Sequence, residues 1–248
     1  MAFWRNKKWL IEAIAGVIGL AILIFIFATQ HNHGVNAGDT IEFGGYSWQV
    51  LDVHRNHALI ITENTYMIGE GRHNHIRGGI TWAGSLTRRY LNDEFFYSFS
   101  AQDRARIQQT YVITPDSPWY YSKGGDNTTD RIFILSVEEV VRYFGDSGQL
   151  QNRPDGVGWI SDQYNCARIT RNEDGMPAWW WLRSSGGDQH LTPFVDPHGV
   201  LTLYGTGASN TTGGVRPVLW LNLAPYSRLT SKLSNHCGPF CMQLRCRP

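Results

Sequence analysis

Several chemistries are excluded by what this 248-residue chain does not contain. It carries no G-x-S-x-G, H-E-x-x-H, P-loop or glycine-rich dinucleotide fingerprint. No motif therefore points to a serine nucleophile, a zinc protease, a nucleotide phosphate or a hydride carrier. Neither sign of charge is in excess, since 22 basic against 21 acidic side chains leave a net charge of +1. Nucleic acids usually select a concentrated basic face, so no nucleic-acid partner is expected. Cysteine is scarce: Cys166 is alone within residues 38–223, and Cys237, Cys241 and Cys246 crowd the C-terminal end. There is no internal repeat, and no Lys or Arg stands between Lys8 and Arg55.

Within that gap in positive charge lies an apolar run at 9–28, with Glu12 as its single charge. Twenty helical residues span roughly 30 Å, the thickness of a bilayer core. Arg5, Lys7 and Lys8 precede the run, so the positive-inside rule keeps the N-terminus cytoplasmic and everything after it outside. The rival is a cleaved signal peptide, whose apolar region is shorter and ends in a small-x-small site; Phe27-Ala28-Thr29 matches that poorly. The expected layout is a cytoplasmic start (1–8), a single-pass transmembrane anchor (9–28), a tether (29–37), an extracytoplasmic domain (38–223) and a basic cysteine-containing tail (224–248). His31 and His33 in the tether, and His73 and His75 further on, are paired histidines with no third ligand in sequence, which more often are solvated than metal-bound.

Aromatics make up 13% of the chain, with 10 Trp, beside 26 Gly. That mixture suits a turn-rich β domain better than a helical bundle. Two stretches organise it: 179–187 (WWWLRSSGG) and 213–221 (GGVRPVLWL), each a buried-strand pattern bounded by glycine. The polar excursion between them is a scaffolded loop surface, the usual place for function. Upstream, 40–43, 46–53 and 58–62 read as a meander of two hairpins. A helix over 82–91 capped by Thr81 and ended by Asn92, a core plug of Phe95, Phe96 and Phe99, a strand at 131–135 and a helix opened by the capping box Ser136-x-x-Glu139 follow. Within the excursion, 193–196 and 200–204 form a hairpin around Pro197-His198-Gly199, and 205–214 reads as a flexible loop.

Four segments in fixed order resemble a bacterial family of uncharacterised surface domains: G-D-x-I-x-F-G-x-Y-x-W-x-V-L-D-V at 38–53, T-W-x-x-S…L-N at 81–92, I-F-x-L-S-x-E-E at 132–144, and the closing W-W-L-R-S…G-V-R-P-x-L-W. That family looks like the C-type lectin-like fold shared with formylglycine-generating enzymes and with the variable proteins of diversity-generating retroelements. The resemblance implies an α+β domain with twisted antiparallel sheets, two or three short helices and long loops, in which the first and last strands pair and the excursion forms the ligand face. Such domains usually bind rather than catalyse, and fold-level analogy transfers no function by itself.

The residues narrow this further. Formylglycine chemistry needs paired cysteines in the domain, where only Cys166 stands. Neither E-P-N nor Q-P-D with W-N-D is present for calcium, and Ser184-Ser185 with Asp188 and His190 is too local to converge as a triad. No catalytic residue, metal or cofactor is therefore expected. Along a strand Trp180 should point opposite to Trp179 and Trp181, with one face in the core and the other able to stack on a sugar ring or anchor a protein. Arg183 and Arg216, set in apolar strands beside Trp180 and Trp220, read as structural ties to a carboxylate or to carbonyls. Candidate recognition residues are Asp188, Gln189, His190, Thr192, Phe194, His198, Tyr204, Ser209 and Asn210. In the tail, Cys237, Cys241 and Cys246, with Cys166 as a fourth thiol, leave disulfides, a zinc site with His236, and free thiols open. The expectation is a membrane-anchored extracytoplasmic binding module for a glycan, cell-wall or protein ligand, including the special case of a loop diversified by a retroelement. The alternative is a structural or sensory surface domain assembling through the anchor and tail cysteines, with an unrecognised enzyme third.

Overall fold

The computed structural model describes residues 34–66 and 81–223. Two four-stranded antiparallel sheets dominate it. The first has the order β1-β2-β3-β12, with β1 at Thr40–Phe43, β2 at Tyr46–His54 and β3 at His57–Thr62. Gly44-Gly45, with φ of 61° and 86°, makes the first turn, and Arg55, with φ of 53°, the second. Two two-stranded ribbons follow: β4 (Thr110–Val112) with β5 (Thr128–Asp130), and β7 (Thr170–Arg171) with β8 (Pro177–Ala178). The second sheet has the order β6-β11-β10-β9, from Trp159–Ile160, Leu201–Gly207, Leu191–Val195 and Trp180–Trp181. β12 is Val218–Asn222.

This architecture corrects the expected α+β C-type lectin-like domain preceded by a transmembrane helix. The described chain is sheet-rich, its helices are few and short, and among the described residues no helix is long and apolar enough to cross a membrane. The apolar run 9–28 lies outside the described residues, as do His31, His33, His73, His75 and the three tail cysteines. Nor do the first and last strands pair: β12 pairs with β3, Val218 opposite Ile61 and Trp220 opposite Leu59, while β1 lies at the far edge on β2. The reason is local. The tight turn at Arg55 folds β3 back on β2, leaving the other edge of β3 for the apolar strand β12.

The helical stretch also differs. Trp82–Gly84 is a single 3-10 turn with no side-chain cap from Thr81. Ser85 instead caps Leu86–Tyr90 by accepting from the Arg88 N–H. Asn92 does not end the helix, which passes through a π turn at Leu91–Phe95 into Phe96–Ser98. Its side chain works across the fold: Oδ1 accepts from the Arg131 N–H at 2.7 Å, and Nδ2 donates to the Ile132 carbonyl at 2.8 Å. Residues 131–135 are therefore held by a side chain and one bridge, Phe133 to Val218, and form no regular strand. The capping box at Val137–Phe144 is present in full, with Ser136 Oγ and Glu139 Oε2 each bonded to the other residue's N–H.

The core joins both sheets. Trp48, Trp82, Trp180 and Trp181 are fully buried, with Ile60, Ile61, Leu91, Ile132, Ile134 and Leu135. Each such side chain contributes about 1.5–3 kcal/mol. Residues 214–215 sew the sheets together: Gly214 bridges to Trp180, Val215 to Tyr66, and the chain continues into β12. Gly214 allows this approach, since a Cβ there would lie 2.5 Å from the Thr65 side chain.

Candidate functional site

The excursion is not an irregular loop. Its two strands are the middle of the second sheet, with Leu191 opposite Gly207 and Val195 opposite Leu201. The register shifts between Thr192 and Phe194, where Leu203 and Tyr204 both donate to the Gly158 carbonyl. Two residues sharing one acceptor mark a bulge, which re-aims the side chain that follows.

This register separates the sequence candidates into two groups. Asp188, Gln189, His190, Ser209 and Asn210 flank the open end of the hairpin, where the Ala208 N–H donates to the His190 carbonyl at 3.2 Å. His198 sits in the turn at the other end, roughly 14 Å away along a five-residue strand. Asp188 and Asp196 each accept from the N–H two residues on, at 2.7 and 2.8 Å, and so shape turns. Thr192 is buried. Among the described residues no group of three or more His, Cys, Asp or Glu side chains comes together to hold a metal ion.

Cross-strand pairing sets a row of aromatic side chains over the sheet. Trp159 pairs with Thr202, Thr202 with Phe194, and Phe194 with Trp181, so the four share one face. Trp179 joins them edge to face, its ring 4.6 Å from that of Trp181 and 5.1 Å from that of Phe194. Trp181 is fully buried, Phe194 and Trp179 half-buried, and Trp159 is 50% exposed at the sheet edge. Trp180 faces the other way, against Phe144 at 6.2 Å, and its indole N–H donates to the Arg168 carbonyl. Tyr204, 52% exposed, leaves the bulge towards Tyr120.

Behind this face the buried arginines differ from one another. Arg183 donates to both Glu139 oxygens, at 2.5 and 2.6 Å, and to the carbonyls of Ile134 and Ile113 at 2.6 and 2.9 Å. Arg216 donates from Nε to the Thr62 carbonyl at 2.9 Å and lies 5.0 Å from the Trp180 ring, but its buried Nη1 has no hydrogen-bond partner. Burial pushes its pKa down to about 9, partly offset by Glu63. Arg168 is fully buried against Asp162 at 3.0 Å. Cys166, in the short helix Asn165–Arg168, is disulfide-bonded, which answers the open question of its state.

Glu138 gives a pH-dependent prediction. Burial raises its pKa above the ordinary carboxylate value, against its own backbone N–H, Ser136 and Arg183, which lower it, and its Oε2 is buried with no partner. The folded state therefore holds the Glu138 proton more tightly than the unfolded chain. Stability is lost as pH rises from the ordinary carboxylate range through the raised folded value, and the penalty is complete above it. Glu138→Gln should raise the melting temperature near pH 8 and leave it unchanged near pH 4. Equal gains at both values, in melts followed by circular dichroism, would show that the carboxyl is not the cause.

A cleft of about 320 Å³ elsewhere is lined by Ala83, Gly84, Ser85, Arg88, Arg89, Asn92 and Asp93 and shares no residue with the aromatic row or the candidates.

A family described as Domain of unknown function (DUF6273) matches residues 55–223, two thirds of the sequence. The chain belongs to this family. The match covers β3 to β12, including the aromatic row, Tyr120, Tyr204 and the Arg183–Glu139 pair, whereas β1 and β2 precede it. No curated protein and no solved structure matches the chain, so the C-type lectin-like and formylglycine-generating-enzyme-like resemblance finds no support beyond membership of an uncharacterised domain family. Sequence reasoning missed Trp159, Tyr120 and Tyr121. Trp159 opens a strand of two residues, too short to show alternation, and the tyrosines lie in the connection between β4 and β5, which has no periodicity; the run Pro118-Trp119-Tyr120-Tyr121 was the available signal.

Proposed function

We propose that this chain is a binding module that recognises a glycan, cell-wall or protein ligand through the face built by residues 187–214, in an extracytoplasmic compartment. The observation that carries the reading is the row Trp159, Phe194 and Trp179, rigid aromatic side chains on one sheet face, set across Thr202, with Trp159 half open to solvent. Amphipathic rings fixed by a sheet offer a large contact area at little ordering cost, which is why such residues anchor ligands. The disulfide at Cys166 supports the compartment, because such bonds persist where the surroundings are oxidising. No catalytic step is assigned to this face.

The test is a screen of the full chain against arrayed glycans, peptidoglycan fragments, surface proteins and whole cells, alongside Trp159→Ala and Phe194→Ala variants of unchanged melting temperature. Saturable capture that weakens by about tenfold in either variant is the expected result. Capture indifferent to both, or no capture of any arrayed ligand, would overturn the assignment.

A further inference from the structure

We propose that the corner where the Tyr120 and Tyr204 rings meet, with exposed Tyr121 beside it on the same turn as Tyr120, is a subsite for one ring of an uncharged saccharide; the inference rests on the reading of the excursion face as a binding surface. The corner is assembled from segments far apart in sequence. Ser117 and Ser122 close a tight turn, the Ser117 N–H donating to the Ser122 carbonyl at 2.8 Å and the Tyr121 N–H to the Ser117 carbonyl at 2.9 Å. Within it Tyr121 takes a φ of 58°, and its side chain is 81% exposed. A bulky residue avoids that left-handed region, and backbone held there against its preference concentrates at ligand sites. What holds it is visible: Ser122 Oγ donates to the Gly186 carbonyl at 2.5 Å, and Ser185 Oγ donates to the Lys123 carbonyl at 2.7 Å. Both contacts pin the turn to the segment that opens the excursion.

Tyr204 meets this turn from β11. Its ring stands edge to face with that of Tyr120, centroids 5.5 Å apart and planes at 76°. Its other neighbour is Gly187, where a Cβ would come within 2.5 Å of the ring, so only glycine leaves the ring its place. The ring is thus fixed before any ligand arrives, which removes an ordering cost from binding.

The polar groups select the ligand class. The Arg153 guanidinium lies 4.7 Å from the Tyr120 ring and 4.9 Å from the Trp119 ring. It donates to the Val157 carbonyl at 2.8 Å, to Tyr120 Oη at 3.1 Å and to the Trp119 carbonyl at 3.5 Å. Tyr120 Oη, accepting from a cation, keeps its own proton to give, and donates it more strongly for that. The neighbouring cation, Lys123, pairs with Asp116 at 2.7 Å. Both cations beside the corner are therefore engaged inside the protein, which disfavours a phosphate or an acidic peptide. An aromatic plane for the C–H face of a pyranose, next to a phenol that donates to a hydroxyl or ring oxygen, fits an uncharged sugar.

Isothermal titration calorimetry of the full chain with cellotetraose, maltotetraose and chitotetraose, and with a heparin tetrasaccharide as charged comparator, tests this. Saturable binding of at least one uncharged oligosaccharide is expected. Tyr204→Ala and Tyr121→Ala should each weaken it by about tenfold, and Tyr120→Phe, which keeps the ring and loses the donor, by about threefold. Tyr97→Ala, at an exposed tyrosine outside the corner, should leave it unchanged. Circular dichroism confirms that each variant is folded. Binding of heparin alone, or of no saccharide, overturns the ligand class. Saccharide binding that Tyr204→Ala and Tyr121→Ala leave intact overturns the site. A protein ligand held through Tyr204 with no saccharide bound would overturn this inference and spare the binding reading, whereas capture indifferent to Phe194→Ala, Trp159→Ala and Tyr204→Ala alike would overturn both.

Discussion

Arg183→Ala is expected to cost about 3–5 kcal/mol, the range for removing one partner of a buried, hydrogen-bonded ion pair. Against the roughly 5–15 kcal/mol of a typical domain, that leaves the chain at the edge of unfolding. Four acceptors lose a donor at once: both Glu139 oxygens, of which Oε2 keeps the Ser136 N–H, and the carbonyls of Ile113 and Ile134. The second of these carbonyls precedes the helix that Glu139 caps, so helix, carbonyl segment and the start of the excursion loosen together. Arg183→Lys should recover little, because a single ammonium cannot make the planar fork. Arg216 supplies the contrast. Its guanidinium is as deeply buried but donates from Nε to the Thr62 carbonyl and leaves Nη1 unpaired. Arg216→Met replaces a costly buried charge by an apolar chain of similar length and should be neutral or stabilising at pH 7. Urea denaturation of the three variants decides the matter. A mild Arg183→Ala, or an Arg216→Met as damaging as Arg183→Ala, would contradict this account of the two arginines.

Trp180→Ala carries the second large effect, again about 3–5 kcal/mol, from lost transfer energy together with the cavity left behind. Trp180 has no exposed surface, packs against Phe144, covers the Arg216 guanidinium and satisfies the Arg168 carbonyl through its indole N–H. Trp180→Phe keeps much of the packing and loses the donor, so its cost should be clearly smaller. The same hole would open between Trp179 and Trp181, the chain neighbours of Trp180, so ligand capture by the aromatic row should fall in Trp180→Ala even at temperatures where it is still folded. Capture at wild-type strength in the folded variant would show that the row does not depend on this core.

How much could be read without coordinates differs from element to element. The hairpins of β1, β2 and β3 were plain because Gly44-Gly45 and Arg55-Asn56 punctuate β-branched and aromatic runs. The Ser136–Glu139 box was plain because capping is local chemistry three residues long. Long-range satisfaction was not legible. Asn92 looks like a helix stop, yet its amide serves the backbone at Arg131 and Ile132, forty residues away, and lets the helix run on. The apolar run 131–135 forms no regular strand for the same reason: it meets β12 through one bridge only, Phe133 to Val218. At the candidate site, Phe194 and Tyr204 were chosen from the excursion itself, but the residues that complete their surroundings come from 119–122 and 159. His198 was grouped with Asp188 by nearness in sequence, and an antiparallel hairpin sends such neighbours to opposite ends.

The pairing of β12 with β3 sets a sequence of events in time. Ile61 finds its partner at Val218, more than 150 residues later. Until that partner has been synthesised, β3 presents an open edge along its apolar stretch Ala58 to Ile61, and the residues that join the two sheets, Gly214 and Val215, do not yet exist. Loop closure over such a span makes folding slow, and an unpaired edge invites the wrong neighbour in the meantime. Among the described residues the last strand to be made is thus the one that closes the sheet, and the nascent chain has to keep that edge unattached until it arrives.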